Sequence, residues 1–170
     1  MAYDYDKLYG KTPNALGPPT SLFVAFFDRF DRQDTRVLDV GCGQGRDALF
    51  IARKGHRVLG VDIAANGIRD LSDAATQENL PIEGVVADIA TYRPDGMFDV
   101  ILIDRTLHML PLPTRHAVLA KLLDCVGENG WLLIADEASN IKGFVAVISA
   151  HEANWITELS QRGYLFLRRS

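Results

Sequence analysis

The residues with the clearest chemical potential lie in Val37-Leu38-Asp39-Val40-Gly41-Cys42-Gly43-Gln44-Gly45-Arg46. An apolar run carries a carboxylate, three glycines alternate after it, and a charged residue opens a helical stretch. Glycine has no Cβ, so it adopts positive φ readily and lets the backbone approach a ligand closely. Backbone N–H groups where a helix begins offer donors to an anionic or polar group. The pattern therefore predicts a binding loop between a strand and a helix. The nicotinamide fingerprint G-x-G-x-x-G requires a small residue where Arg46 stands, and here the spacing is G-x-G-x-G with an acid two residues before the first glycine. This departure argues against a dinucleotide oxidoreductase.

Further acids follow other apolar runs. In Gly60-Val61-Asp62-Ile63 the Asp62 carboxylate can accept from a pair of sugar hydroxyls, or cap a helix ahead of Ala64, and the two roles are compatible. Asp88, in Val86-Ala87-Asp88-Ile89, is either a turn residue or an acceptor. The segment Phe98-Asp99-Val100-Ile101-Leu102-Ile103-Asp104-Arg105-Thr106-Leu107-His108 ends in three groups able to bind or move protons. Asp104 and Arg105 have a plain ion pair as their competing account, and His108 has packing within Leu107-His108-Met109-Leu110. Arg46, followed by Asp47, either faces a ligand or is an exposed charge of the first helical turn.

The elements that must position these groups show in the periodicity. Short apolar runs at Val37 to Val40, Arg57 to Val61, Gly84 to Ala87, Phe98 to Ile103 and Trp131 to Ala135 predict strands, and four of the five end in Asp or run straight into one. Near-continuous apolarity is expected of strands covered on both faces. Helical stripes lie between them: Ala48, Ile51 and Ala52; Ile68, Leu71, Ala74 and Ala75; and Val118, Leu119, Leu122, Leu123 and Val126, with a start at Pro113-Thr114 and a stop at Gly127. Phe23, Phe26, Phe27 and Phe30 form an earlier aromatic stripe, with Thr20 or Ser21 as its N-cap. A helix over 151–161 and a final strand at Tyr164 to Leu167 complete the reading. The expected fold is a doubly wound, mostly parallel α/β sheet, in which ligands bind at the carboxyl ends of strands. Residues 1–19 read as an N-terminal arm or lid bearing Tyr5 and Tyr9, and residues 20–170 as a single domain.

Bulk properties narrow the function classes. The chain has 170 residues, 48% hydrophobic and 24% charged, as expected of one globular domain. A net charge of -4 argues against sequence-independent nucleic-acid binding. Cys42 and Cys125, its two cysteines, lack metal-ligand spacing and suit a reduced compartment. The acidic start and the lack of a long apolar run predict no membrane association and a cytoplasmic location.

The D-V-G-C-G-Q-G loop followed by an acid at the end of the second strand resembles the class I S-adenosylmethionine-dependent methyltransferases, over most of the chain. The run C-G-Q-G-R-D-A-L-F-I-A-R-K-G-H and the tyrosine-bearing arm are similar to the tellurite-resistance and thiopurine small-molecule types. The resemblance implies S-adenosylmethionine as cofactor and S-adenosylhomocysteine as product. It places Gly41, Cys42, Gly43 and Gly45 beneath the methionine part, Asp39 on its ammonium side, and Arg46 at its carboxylate or at the substrate. Asp62 then binds the ribose, Ile63 covers the adenine, Asp88 with Ile89 meets the adenine amino group, and Asp104 and Arg105 help form the methionine pocket. Methyl transfer is an in-line displacement, so positioning and water exclusion do most of the work. An oxygen or nitrogen acceptor calls for a general base, for which Asp104 and His108 are the candidates. Phe144 is expected to line the acceptor side. The implied partner is a small-molecule methyl acceptor; the alternative is a non-catalytic cofactor-binding module or subunit. With only one strand read after 135, the family's sheet looks shortened at that edge. That shortening would motivate a homodimer through the edge, a monomer being the other possibility.

Overall fold

Each apolar run becomes a strand whose backbone bonds come from a neighbouring strand rather than from its own turn. The computed structural model describes residues 3–170, which divide into two compact units, one ending at Ile89 and the other running from Ala90 to Ser170.

The first unit contains α1 (Tyr5–Tyr9), α2 (Ser21–Arg29), β1 (Arg36–Val40), α3 (Arg46–Arg53), β2 (Arg57–Asp62), α4 (Ala65–Gln77) and β3 (Ile82–Val86). Its strands are parallel in the order β3-β2-β1. Parallel neighbours need a crossover, and α3 and α4 supply the two. Ala48, Ile51, Ile68 and Leu71, all on the stripes read from the sequence, are buried with Val37, Leu38 and Val40 of β1. Each buried Ile, Leu or Val side chain among these contributes about 1.5–3 kcal/mol. Phe23 and Phe27 of the aromatic stripe are likewise buried, and Thr20 is the N-cap residue of α2.

The second unit contains β4 (Phe98–Asp104), a 3-10 turn at Leu107–Met109, α5 (Leu112–Leu123), β5 (Val126–Ala135), α6 (Ala138–Ser149), β6 (Trp155–Gln161) and β7 (Tyr164–Arg169). β4 pairs with β5 in parallel, and β7 lies antiparallel between β5 and β6. The chain is thus of the Rossmann-like α/β class. No helix among the described residues is long and apolar enough to cross a membrane.

Three expectations are corrected here. Residues 155–161, read as the body of a helix, form strand β6. Arg162 and Gly163 stand at φ +41° and +87°, the two left-handed residues of a tight hairpin that pairs Gln161 with Tyr164. Pairing with β7 supplies the hydrogen bonds that a helix would have formed locally. The sheet is therefore not shortened: it ends in an antiparallel hairpin, and the segment 141–149 belongs to helix α6. The missing strand that motivated a dimer contact is present. Gly127 does not stop a helix, because α5 ends at Leu123 and Gly127 lies inside β5. There the register shifts, so that Phe98 opposes Val126 but Val100 opposes Trp131.

Candidate functional site

The glycine loop joins β1 to α3 with Gly41, Gly43 and Gly45 at φ +73°, +52° and +86°. The Gly41 and Cys42 N–H groups both donate to the Val61 carbonyl, at 2.7 and 3.2 Å, which ties the loop to the end of β2. Gly45 N–H donates to the Cys42 carbonyl at 2.8 Å, and Gly43 N–H to Asp62 Oδ2 at 2.8 Å. The donors of all three glycines are thus engaged within the protein. A Cβ on Gly43 would lie 2.6 Å from the Tyr9 hydroxyl, one on Gly67 of α4 would lie 2.9 Å from the Gly43 carbonyl, and one on Gly45 would strike the Leu71 side chain. Asp39 and Cys42 are buried beside the loop, and burial, aided by the charges of Asp39 and Asp62, pushes the Cys42 thiol up.

Asp62, at the carboxyl end of β2, holds Gly43 N–H on Oδ2 and Ala64 N–H on Oδ1, each at 2.8 Å. The N-cap residue of α4 is Ala64 and carries no side-chain cap, so Asp62 braces the turn ahead of the helix rather than capping it. Each carboxylate oxygen retains a further acceptor direction. Burial lifts the Asp62 carboxyl above its ordinary range, while the N–H groups of Ala64 and Gly43 pull the other way. The neighbouring Ile63 is 69% exposed and Val86, paired with Asp62 across the sheet, is 53% exposed. Two bare aliphatic side chains at adjacent strand ends suit the face of a planar ring. Asp88 is exposed beyond β3 and Ile89 is half-buried.

The arm, over its described residues 3–19, is docked on this loop. Asp6 accepts from Asn66 N at 2.7 Å and from Asn66 Nδ2 at 3.0 Å, which lays α1 against α4 and buries Tyr9. Gln44 is the hub: its oxygen accepts from Ala15 N at 2.9 Å, and its nitrogen donates to the Thr12 carbonyl at 3.0 Å and to Asp70 Oδ2 at 2.8 Å. Arg46 is not an exposed charge, since its side chain is 19% exposed and reaches the Leu16 carbonyl at 3.4 Å. Burial, then the Asp62 charge, raises the Tyr9 phenol, so it stays protonated as a donor. The sequence reading assigned no role to Gln44 or Asn66; a long polar side chain inside a glycine loop was the available signal.

In the second unit Asp104 is buried at the end of β4 and receives Arg105 Nη1 at 3.1 Å, so the ion pair forms. Arg105 stands at φ +49° and also reaches the Tyr164 hydroxyl at 3.4 Å. His108, in the 3-10 turn, donates its backbone N–H to Asp136 Oδ2 at 3.1 Å. Asn140 Nδ2 donates to Asp136 Oδ1 at 2.7 Å, and Arg115 Nη1 to Asn140 Oδ1 at 2.6 Å. The sequence reading missed Asp136, Arg115 and Asn140 as site residues, although Asp136 is one of the acids that follow strands. Phe144 does not line an acceptor surface: it is fully buried in α6, edge-on to His116 with ring centres 6.3 Å apart. An apolar ring on the inward face of that helix is core. No cluster of three or more His, Cys, Asp or Glu suited to a metal occurs among the described residues.

Residues 37–130, more than half of the chain, match the family described as the methyltransferase domain. The chain is 27% identical over 130 residues to the ubiquinone biosynthesis O-methyltransferase of Burkholderia thailandensis, covering 75% of this chain and 54% of that protein. It is 27% identical over 138 residues to the 2-heptyl-1-hydroxyquinolin-4(1H)-one methyltransferase of Mycobacteroides abscessus, covering 79% of this chain and 60% of the relative. It therefore spans little more than half the length of these curated relatives. A TehB-like SAM-dependent methyltransferase structure from Corynebacterium glutamicum superposes with a TM-score of 0.74 at 22% identity, over 97% of this chain and 96% of that one, a likeness of fold. With the family match laid over the glycine loop and the strand-end acids, the chain belongs to the methyltransferase-domain family and has the class I, Rossmann-like fold of S-adenosylmethionine-dependent methyltransferases.

Proposed function

We propose that the chain is an S-adenosylmethionine-dependent methyltransferase acting on a small-molecule acceptor at oxygen. The observation that carries the reading is Asp62, braced by Gly43 and Ala64 with acceptor capacity to spare and flanked by the exposed Ile63 and Val86. A carboxylate fixed in this way suits two ribose hydroxyls, and the bare aliphatic pair suits an adenine face. The residues present thus fit the cofactor. Gly41, Cys42, Gly43 and Gly45 would let its methionine part approach the backbone, with Asp39 and Arg46 answering its charged ends. Asp88 and Ile89 would meet the adenine edge.

When bound, S-adenosylmethionine supplies an electrophilic methyl on a sulfonium. The chain's own contribution is to orient the acceptor, exclude water and take a proton, with His108 or Asp104 as base. The O-methyltransferase name of one relative and the hydroxylated quinolone in the name of the other favour a hydroxyl acceptor. Cytoplasmic location belongs to the same reading and is supported by two free cysteines.

Calorimetric titration with S-adenosylmethionine, S-adenosylhomocysteine and NAD tests the cofactor; binding of NAD alone refutes the reading. A screen of phenols, hydroxyquinolones, thiols and tellurite for S-adenosylhomocysteine release tests the activity. Cofactor binding with no release from any acceptor would favour a binding module.

A further inference from the structure

We propose that Asp136 is the positioning residue for His108, holding its imidazole as the Nδ1–H tautomer so that Nε2 is left to take the acceptor's proton. The inference rests on the proposed transfer to a hydroxyl acceptor and adds the device that would make His108 competent for it.

Asp136 follows β5 directly and its side chain is 0% exposed. A carboxylate so buried requires donors, and it has them from its own surroundings. Oδ1 accepts from Glu137 N at 2.8 Å and from Asn140 Nδ2 at 2.7 Å. Oδ2 accepts the backbone N–H of His108 at 3.1 Å and lies 3.9 Å from His108 Nδ1. That nitrogen is buried and has no hydrogen-bond partner among the described residues, although the side chain as a whole is 26% exposed. The exposure therefore belongs to the rest of the side chain. A buried ring nitrogen left unpaired is unfavourable, and a carboxylate 3.9 Å away is already fixed on the same residue's backbone. Catalytic hydrogen bonds are commonly long before substrate arrives and tighten in the complex.

Arg115 makes the arrangement rigid. Its guanidinium holds Asn140 Oδ1 at 2.6 Å, the His108 carbonyl at 2.9 Å and the Leu110 carbonyl at 2.8 Å, clamping both the turn that bears His108 and the residue that orients Asp136. A carboxylate that served only to start α6 would need neither the grip on His108 N–H nor an arginine binding the same turn.

In the step this supports, S-adenosylmethionine would supply the methyl and leave as S-adenosylhomocysteine, its sulfur keeping the electron pair of the broken carbon–sulfur bond as the acceptor oxygen bonds the methyl carbon, and His108 Nε2 would take the hydroxyl proton. The resulting imidazolium is stabilised by Asp136 through Nδ1–H.

Two-bond proton–nitrogen spectra of the imidazoles read the tautomer directly, with no cofactor or acceptor needed, and His108→Gln assigns the signal. The wild-type protein is expected to show neutral His108 as Nδ1–H. Asp136→Asn, which can turn an amide donor toward Nδ1, is expected to shift it to Nε2–H. A wild-type Nε2–H tautomer overturns the proposal without recourse to any variant. With an acceptor from the screen, Asp136→Asn and His108→Gln should each lower kcat by on the order of 10²–10⁴, the double variant losing little more, at unchanged affinity for S-adenosylmethionine. An Asp136→Asn protein that melts earlier but turns over normally would reduce Asp136 to a structural residue. Failure of the wild-type protein to bind S-adenosylmethionine appears in calorimetry rather than in the spectra, and refutes the proposed function instead.

Discussion

Gly43→Ala tests whether the glycine loop is built around the N-terminal arm. Gly43 stands at φ +52°, where an alanine pays about 1–2 kcal/mol for the left-handed conformation. Its new Cβ would lie 2.6 Å from the Tyr9 hydroxyl and 3.0 Å from Tyr9 Cζ. Tyr9 is only 5% exposed, so the ring cannot swing away, and overpacking of this kind costs about 1–3 kcal/mol. The two terms together predict a loss of roughly 2–5 kcal/mol. For a chain of this size a kcal/mol moves Tm by about 2–4 °C, so melting should fall by about 4–20 °C. Tyr9→Phe removes the nearest atom and leaves the backbone strain. The double variant should therefore recover about 1 kcal/mol relative to the sum of the single variants. Thermal melts followed by circular dichroism on all four proteins measure this. A Gly43→Ala protein that melts with the wild type, or a double variant that is strictly additive, would refute the packing argument.

Asp62→Asn should weaken S-adenosylmethionine binding by about 1.5–3 kcal/mol, since the ribose hydroxyls lose a charged acceptor; unchanged calorimetric affinity would remove Asp62 from the site. Because burial raises the Asp62 carboxyl, that affinity should begin to fall, as pH is lowered, above the ordinary aspartate range near ~4. The folded protein holds this proton more tightly than the unfolded chain, so protonation of Asp62 itself favours folding, and melts at the same pH separate lost binding from unfolding. Gln44→Ala removes the bonds to Ala15, Thr12 and Asp70 and should speed tryptic cleavage after Lys11, whereas a digestion pattern like the wild type's would show that the arm is held without Gln44.

What the chain declares locally is the cofactor end. A strand, three glycines and a helix start are adjacent residues, and a carboxylate after the next apolar run needs only a neighbouring parallel strand to reach the loop. β1, β2 and β4 accordingly fall within a residue of the runs that predict them. Tertiary structure decided the rest. The donors of Gly41, Gly43 and Gly45 look available until Val61, Asp62 and Cys42 are placed against them. Residues 155–161 have the composition for either state, and the antiparallel partner β7 settles the matter by supplying the backbone bonds. His108 is one histidine in an apolar stretch until Asp136, 28 residues later, arrives at its backbone N–H. Local sequence specifies which residues are able to turn, cap or ionise; which groups a buried donor or carboxylate meets depends on contacts between distant segments, and those exist only once the strands have paired.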